Sequence, residues 1–180
     1  MTMLAALPTA PEVPAFADIF RDHAPRVWRS LRGMGIREAD VEDLCQEVFM
    51  VVHRRLPTFE GRSALSTWIY GICVRVASDH RRRAHVRREQ PVEEVPDERR
   101  SAPQLREIER RQARAMLREA LDELDDDKRA VFVLYEIEGL GMKEVAAAVG
   151  CPLQTAYSRL HAGRDRVKAA MAARVGEEGR

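Results

Sequence analysis

Between Gly141 and Met171 the chain reads GMKEVAAAVGCPLQTAYSRLHAGRDRVKAAM, and few arrangements bury the apolar residues of that stretch. Met142, Val145, Ala146 and Val149 recur at i, i+3, i+4 and i+7, one face of a short helix. Gly150 follows as a residue suited to a left-handed stop. Pro152 fits the first turn of a new helix, where it has no N–H to lose. In that second helix the spacing turns Leu153, Ala156 and Leu160 inward, and Gln154, Thr155, Tyr157, Ser158, Arg159 and His161 outward. Small Ala146 stands where two crossing helices approach. The pattern predicts a helix-turn-helix, whose second helix is built to lie in a DNA major groove. A plain helical hairpin with a solvated basic side is the alternative. Against it, Arg159, Arg164, Arg166 and Lys168 face a single acid, Asp165, among short hydrogen-bonders suited to base edges and phosphates.

The rest of the chain is read outward from that unit. From Phe16 an apolar pattern at threes and fours (Phe16, Ile19, Phe20, Val27, Trp28, Leu31) predicts a helix that Pro25 should kink or split and that Gly33-Met34-Gly35 ends. Asp40 is placed to cap the next helix, with Val41, Leu44, Cys45, Val48 and Val52 as its buried stripe. Glu42, Gln46, Glu47, Met50 and His53 form a second, mostly polar stripe, which by spacing alone reads as a solvated face. Leu56-Pro57 breaks this helix. A loop from Thr58 to Ser66 follows, and Ser66 is placed to cap a third helix with Trp68, Ile69, Ile72, Cys73 and Val76 inside.

That third helix runs into His80-Arg81-Arg82-Arg83-Ala84-His85-Val86-Arg87-Arg88, five arginines in nine residues without an acid, which calls for an anionic partner. Residues 89–104, with Pro91, Pro96 and Pro103 among acids, read as a flexible acidic linker. A charged helix then opens at Leu105. Asp125-Asp126-Asp127 cap the apolar run from Ala130 to Ile137, and cap plus Gly139 favour a helix there over a strand. The expected fold is all-α: two small helical domains joined by that linker.

Net charge is only +1, so its distribution matters more than its total. All the basic residues except Lys128, Lys143 and Lys168 are arginine, which suits bidentate phosphate and guanine contacts. Cys45, Cys73 and Cys151 stand far apart in apolar segments, and the histidines show no ligand spacing; buried thiols, no metal and no cofactor are expected. No apolar run reaches the ~18 residues of a membrane span. Residues 1–15 are proline-rich and lack a signal-peptide pattern, so they read as a flexible tail on a soluble, cytoplasmic protein without membrane insertion.

Three motifs in order resemble one family. Asp43-Leu44-Cys45-Gln46-Glu47-Val48-Phe49 is similar to D-L-x-Q-E-V-F, and Ser66-Thr67-Trp68-Ile69-Tyr70 to S-T-W-L-Y. Val149-Gly150-Cys151-Pro152 with Thr155-Ala156-Tyr157-Ser158-Arg159-Leu160-His161 resembles G-V-P-x-G-T-V-K-S-R-L-H. Together they resemble bacterial RNA polymerase sigma factors of the sigma-70 family, in the short extracytoplasmic-function (ECF) group that keeps only regions 2 and 4. The resemblance implies region 2 at 16–88 and region 4 at 105–174, between the linker and a tail at 175–180. It implies core RNA polymerase (the β′ clamp helices and the β subunit) and promoter DNA as partners, and an anti-sigma factor wedged between the lobes.

Carried over by residue, the resemblance makes Glu42, Asp43, Gln46, Glu47, Met50 and His53 a polymerase contact. It makes Phe59, Arg62, Ser63, Leu65 and Ser66 a pocket for a nucleotide extruded from the −10 element. Trp68 is there for stacking or for the core, and Arg75, Arg81, Arg82 and Arg83 follow the strand. For the −35 element it implies Gln154, Thr155, Tyr157, Ser158, Arg159, His161 and Arg164. The chain departs from the family pattern at Tyr157 and Ala162, where basic residues are usual, at Gln154 (commonly glycine) and at Arg75 (commonly asparagine). A stand-alone helix-turn-helix regulator is the competing reading, and it leaves the first lobe without purpose. An enzyme is disfavoured, since no phosphate loop, nucleophile–base pair or ligand cluster is recognisable.

Overall fold

The computed structural model describes residues 14–88 and 105–178, with side chains over 14–84 and 113–173, and all the regular structure there is helical. The expected linker and both tail ends lie outside the described residues. Helix α1 spans Phe16–Gly33, α2 Glu38–Arg55 and α3 Leu65–Arg88, with a short 3-10 turn at Leu56–Thr58. They pack three aliphatic faces together: Ile19, Val27 and Leu31 from α1; Val41, Leu44, Val48, Phe49 and Val52 from α2; Ile69, Ile72, Cys73 and Val76 from α3. Burial pushes the Cys73 thiol well above its usual range, so it stays protonated and apolar in character.

Local chemistry corrects three expectations here. Pro25 lies inside α1 without ending it; the helix loses one hydrogen bond there, but Pro25 faces solvent and the flanking apolar turns stay packed. Helix α2 begins at Glu38, before Asp40, which instead accepts from Arg37 Nε at 2.8 Å within the first turn. Helix α3 begins at Leu65, with Trp68 N donating to Ala64 O at 3.1 Å, so Ser66 is already helical and caps nothing.

The second lobe holds α4 (Leu105–Asp122), α5 (Asp126–Phe132), α6 (Met142–Val149) and α7 (Leu153–Glu178). Asp125 caps α5 as expected, accepting from Lys128 N at 2.9 Å. The apolar run does not end with α5 but widens into a π-helical turn over Val133–Ile137, closed by Glu138 N on Val133 O at 3.0 Å. Glu144 reaches back to Gly141 N at 2.9 Å and so secures the start of α6. Gly150 takes φ +70° between α6 and α7, the left-handed stop its sequence position predicts. Ala156 and Leu160 are buried against Val145 and Ala146, but Leu153 is 39% exposed. Pro152 sits just before the helix, its carbonyl accepting from Ala156 N at 3.0 Å; Leu153 is therefore the opening residue and projects past the core.

The two helical lobes pack against each other. Helix α3 meets α6 where a Cβ on Gly71 would stand 3.2 Å from the Ala148 carbonyl, so the absent side chain sets how closely the backbones approach. Arg129, 1% exposed, closes a second contact. Its guanidinium donates to the carbonyls of Leu121 (2.7 Å), Asp122 (3.0 Å) and Leu124 (2.8 Å) in its own lobe, and to Met34 O of the first at 3.4 Å. Arg81 adds a 2.9 Å bond to the same Met34 carbonyl and an ion pair with Asp126 at 2.8 Å. Gly35, at φ +80°, leaves the room these two guanidinium groups occupy. Replacing Arg129 by Met leaves several buried carbonyls unsatisfied, so urea unfolding should show a loss of about 3 kcal/mol.

Candidate nucleic-acid interface

Helix α7 presents the surface the helix-turn-helix pattern predicts. Gln154, Tyr157, Ser158 and His161 are exposed and Thr155 and Arg159 half-buried, while Ala156 and Leu160 hold the helix from behind. Ser158 Oγ bonds back to Gln154 O at 3.0 Å. The basic residues are less free than their own helix suggests. Arg159 pairs with Asp127, Arg164 with Glu136 at 2.6 Å and Arg166 with Glu123 at 3.1 Å. Acids of neighbouring elements therefore offset a charge that looked unopposed along α7. These exposed pairs are weak and exchange readily with a phosphate.

A second surface lies where the 58–64 loop enters α3. The Phe59 and Trp68 rings are tilted 49° with centroids 5.2 Å apart, both half-buried, so Trp68 is neither fully core nor free. Leu65, Ser66 and Ser63 are half-buried beside them, and Arg62 is exposed and paired with Glu60. Arg75 is exposed further along α3. The arginine run divides: Arg82 and Arg83 are exposed and tied to the Asp79 carboxylate and carbonyl respectively, while Arg81 is taken up by the lobe contact. Arg81 thus holds the lobes in this state and does not face outward.

The third surface is the outer stripe of α2. Glu42, Asp43, Gln46, Glu47, Met50 and His53 are all exposed, Met50 by 62%. His53 keeps a ring contact with Phe16 at 4.8 Å. Glu42 and Gln46 edge an apolar groove with Phe20, Ala24, Pro25, Trp28 and Cys45. Phe20 and Trp28 belong by spacing to the α1 core pattern, yet they are 45% and 38% exposed. The α1 stripe is wider than the space between α2 and α3, so its flanks face outward.

Sequence reasoning missed the polar groups at the lobe contact. Glu138 has a side chain with no exposure, and Arg29 Nε and Nη2 donate to its two oxygens at 2.9 Å each. Tyr70 donates to the same carboxylate at 3.0 Å, and Arg26 stands 3.8 Å away. Burial, with Glu138 second, pushes the Tyr70 phenol well above its usual range. The available signal was an acid beside Gly139 closing an apolar run, which alone reads as a helix end. Among the described residues no cluster of His, Cys, Asp and Glu could hold a metal ion.

With these surfaces in place, the comparisons decide the family. Residues 19–87 match the Sigma-70 region 2 model and residues 114–167 the Sigma-70, region 4 model. The chain is 31% identical over 148 residues to the ECF RNA polymerase sigma-E factor of Escherichia coli K12, covering 77% of each. This chain belongs to the sigma-70 family, in its ECF group. It is also 34% identical over 165 residues to the ECF RNA polymerase sigma factor SigE of Mycolicibacterium smegmatis, covering 87% of the chain but only 61% of that longer relative. The sigma fold is shared with the Bartonella quintana sigma factor RpoE solved with the anti-sigma factor NepR (TM-score 0.69, 22% identity, 87% of this chain and 96% of that one). It is shared too with CnrH solved with the cytosolic domain of CnrY (TM-score 0.67, 24% identity, 88% of each). Tyr157, 42% exposed, and His161 stand outside the buried core of their lobe. Alanine at either should leave urea stability within about 0.5 kcal/mol of the parent, so any loss of DNA binding would be a contact effect.

Proposed function

We propose that this sigma factor binds core RNA polymerase and directs it to promoters carrying its own −35 and −10 elements. One observation carries the reading: the exposed recognition helix α7 and the exposed α2 stripe belong to one chain but to different lobes. A stand-alone regulator needs the first and has no use for the second. In this account Glu42, Asp43, Gln46, Glu47, Met50 and His53 contact the polymerase, a polar surface around one large apolar residue that suits a partner later released.

Region 4 lays α7 along the −35 major groove. Gln154, Thr155, Tyr157, Ser158 and His161 face the bases and sugars, while Arg159 and Arg164 exchange their acids for phosphates. At the −10 element, Phe59, Arg62, Ser63, Leu65 and Ser66 receive a base turned out of the stack, with Trp68 at the pocket's inner wall. Lost stacking of a few kcal/mol is replaced by these contacts. Arg75, Arg82 and Arg83 follow the strand's phosphates. Binding energy alone stabilises the melted DNA, so the chain makes and breaks no bond and is not an enzyme.

Its place is the cytoplasm, where polymerase and promoter meet, and no helix among the described residues is long and apolar enough to cross a membrane. The solved relative RpoE is bound by an anti-sigma factor, and we extend that class of partner to this chain. A cleft between the lobes, lined by Arg37, His80 and Arg82 on one side and Arg118, Asp122 and Asp127 on the other, is where such a partner would enter.

The test is transcription in vitro from genomic templates with purified core polymerase. Adding the chain should produce defined start sites that Gln46→Ala/Glu47→Ala weakens by about ten-fold through core binding. Initiation nowhere above the core-only background would refute the reading, and tight duplex binding without polymerase would favour the stand-alone regulator.

A further inference from the structure

Region 4 leaves two large apolar side chains uncovered, and both stand on the first turns of α7. The buried stripe of that helix runs through Ala156, Leu160, Val167 and Ala170. Leu153 falls three residues before Ala156 and by spacing belongs to the stripe, yet it is 39% exposed and stands clear of the hydrophobic core. Tyr157, one turn further on, is 42% exposed and has no hydrogen bond or ring contact among the described residues. The other exposed large apolar residues described, Phe20, Trp28 and Met50, all lie in region 2. An apolar pair left uncovered beside polar neighbours marks a binding surface.

The charges around the pair choose its occupant. Arg159, Arg164 and Arg166 of the same helix are held by ion pairs to Asp127, Glu136 and Glu123, all open to water on one side or both. Such pairs exchange for phosphate at little cost. A duplex offers what this surface lacks: phosphates along both rims of the major groove and thymine methyl groups on its floor. The second helix of a helix-turn-helix points its early residues at that floor, which brings Leu153, Gln154 and Tyr157 to the base edges. Arginine is the usual reader of guanine, but Arg159 is drawn to Asp127, and Arg164 lies between Glu136 and the Tyr135 ring, 5.5 Å from its centroid. What the first turns offer instead is an apolar pair suited to a methyl group and a Gln154 amide suited to adenine. Side chains at i and i+4 have Cβ atoms about 5–6 Å apart, a spacing in which one methyl group touches both at about 4 Å.

From this geometry we infer that Leu153 and Tyr157 read the 5-methyl group of a thymine in the −35 element. The promoters of this factor therefore carry an A·T pair where the first turns of α7 meet the groove. Cytosine lacks that methyl group and cannot make the contact. The inference rests on the sigma reading of α7 and adds to it a residue, Leu153, and a base.

Uracil, which is thymine without its methyl group, tests the contact with unmodified protein. A promoter is first mapped with the holoenzyme of core polymerase and the full chain. Each thymine of its −35 element, on either strand, is then replaced singly by deoxyuridine, and the holoenzyme concentration giving half-maximal initiation is measured. One replacement should raise that concentration about four-fold, the worth of one methyl group taken out of water. Uracil in the spacer between the elements should change nothing.

Variants then assign the contact. Leu153→Ala and Tyr157→Ala should each weaken initiation on the thymine template and remove the difference between thymine and uracil at the sensitive position, as coupled partners do. Circular dichroism and urea unfolding check that each variant is folded. Initiation indifferent to uracil at every −35 thymine, or a −35 element without an A·T pair, would overturn the inference and leave the sigma reading standing; a loss in Leu153→Ala on such templates would give the pair to a protein partner instead. Uracil sensitivity that survives both substitutions would overturn it as well. Initiation on no template at all would remove the sigma reading and this inference with it.

Discussion

A carboxylate without exposure, held by two guanidinium bonds and a phenol from the opposite lobe, fixes how the halves of this chain meet. Each lobe solves its own packing problem with aliphatic faces, Leu31, Val48 and Ile69 in one and Val131, Val145 and Leu160 in the other. Those faces say nothing about the angle between the lobes. Glu138 does, because a buried charge accepts only a position in which its donors are all present. The neighbouring close approach at Gly71 and the shared Met34 carbonyl then follow without strain.

The same arrangement keeps the functional surfaces apart in kind as well as place. Helix α7 leans on Ala156 and Leu160, so its polar side stays exposed without weakening the lobe. Helix α2 buries one stripe and leaves another exposed. The loop before α3 supplies Phe59 and the start of α3 supplies Trp68, two aromatic rings already in contact at the place where an extruded base would need a wall. The three exposed faces thus lie on different elements, α2, the start of α3 and α7.

Much of this was legible in the residues. Periodicity located the described α-helices other than α5, where the acidic cap and Gly139 decided for a helix over a strand, and Gly150 and Asp125 announced their turn and cap by chemistry. The α2 stripe and the outward side of α7 were legible for the same reason. Harder to read were features set by residues far apart in sequence. Arg164 looked unopposed until Glu136 appeared beside it, and Arg81 looked like a strand-following cation until Asp126 met it. Docking of the lobes was illegible altogether: Arg29, Tyr70 and Glu138 are unremarkable singly, and only the fold brings them together. Phe20 and Trp28 show the converse error, since a repeat says which residues share a face but not how wide the covered part is.

The central claim is that one chain touches both promoter elements on the polymerase, with its −10 surface on α3 and its −35 surface on α7. Most direct is the distance between fluorophores placed beside the −10 and −35 surfaces, one on α3 and one on α7, measured in the free factor and after binding core polymerase and a promoter. The account predicts a separation within about 40 Å in the free chain and far beyond it on the polymerase, approaching the about 85 Å of duplex between the elements. An unchanged short distance in a complex that initiates transcription would contradict it.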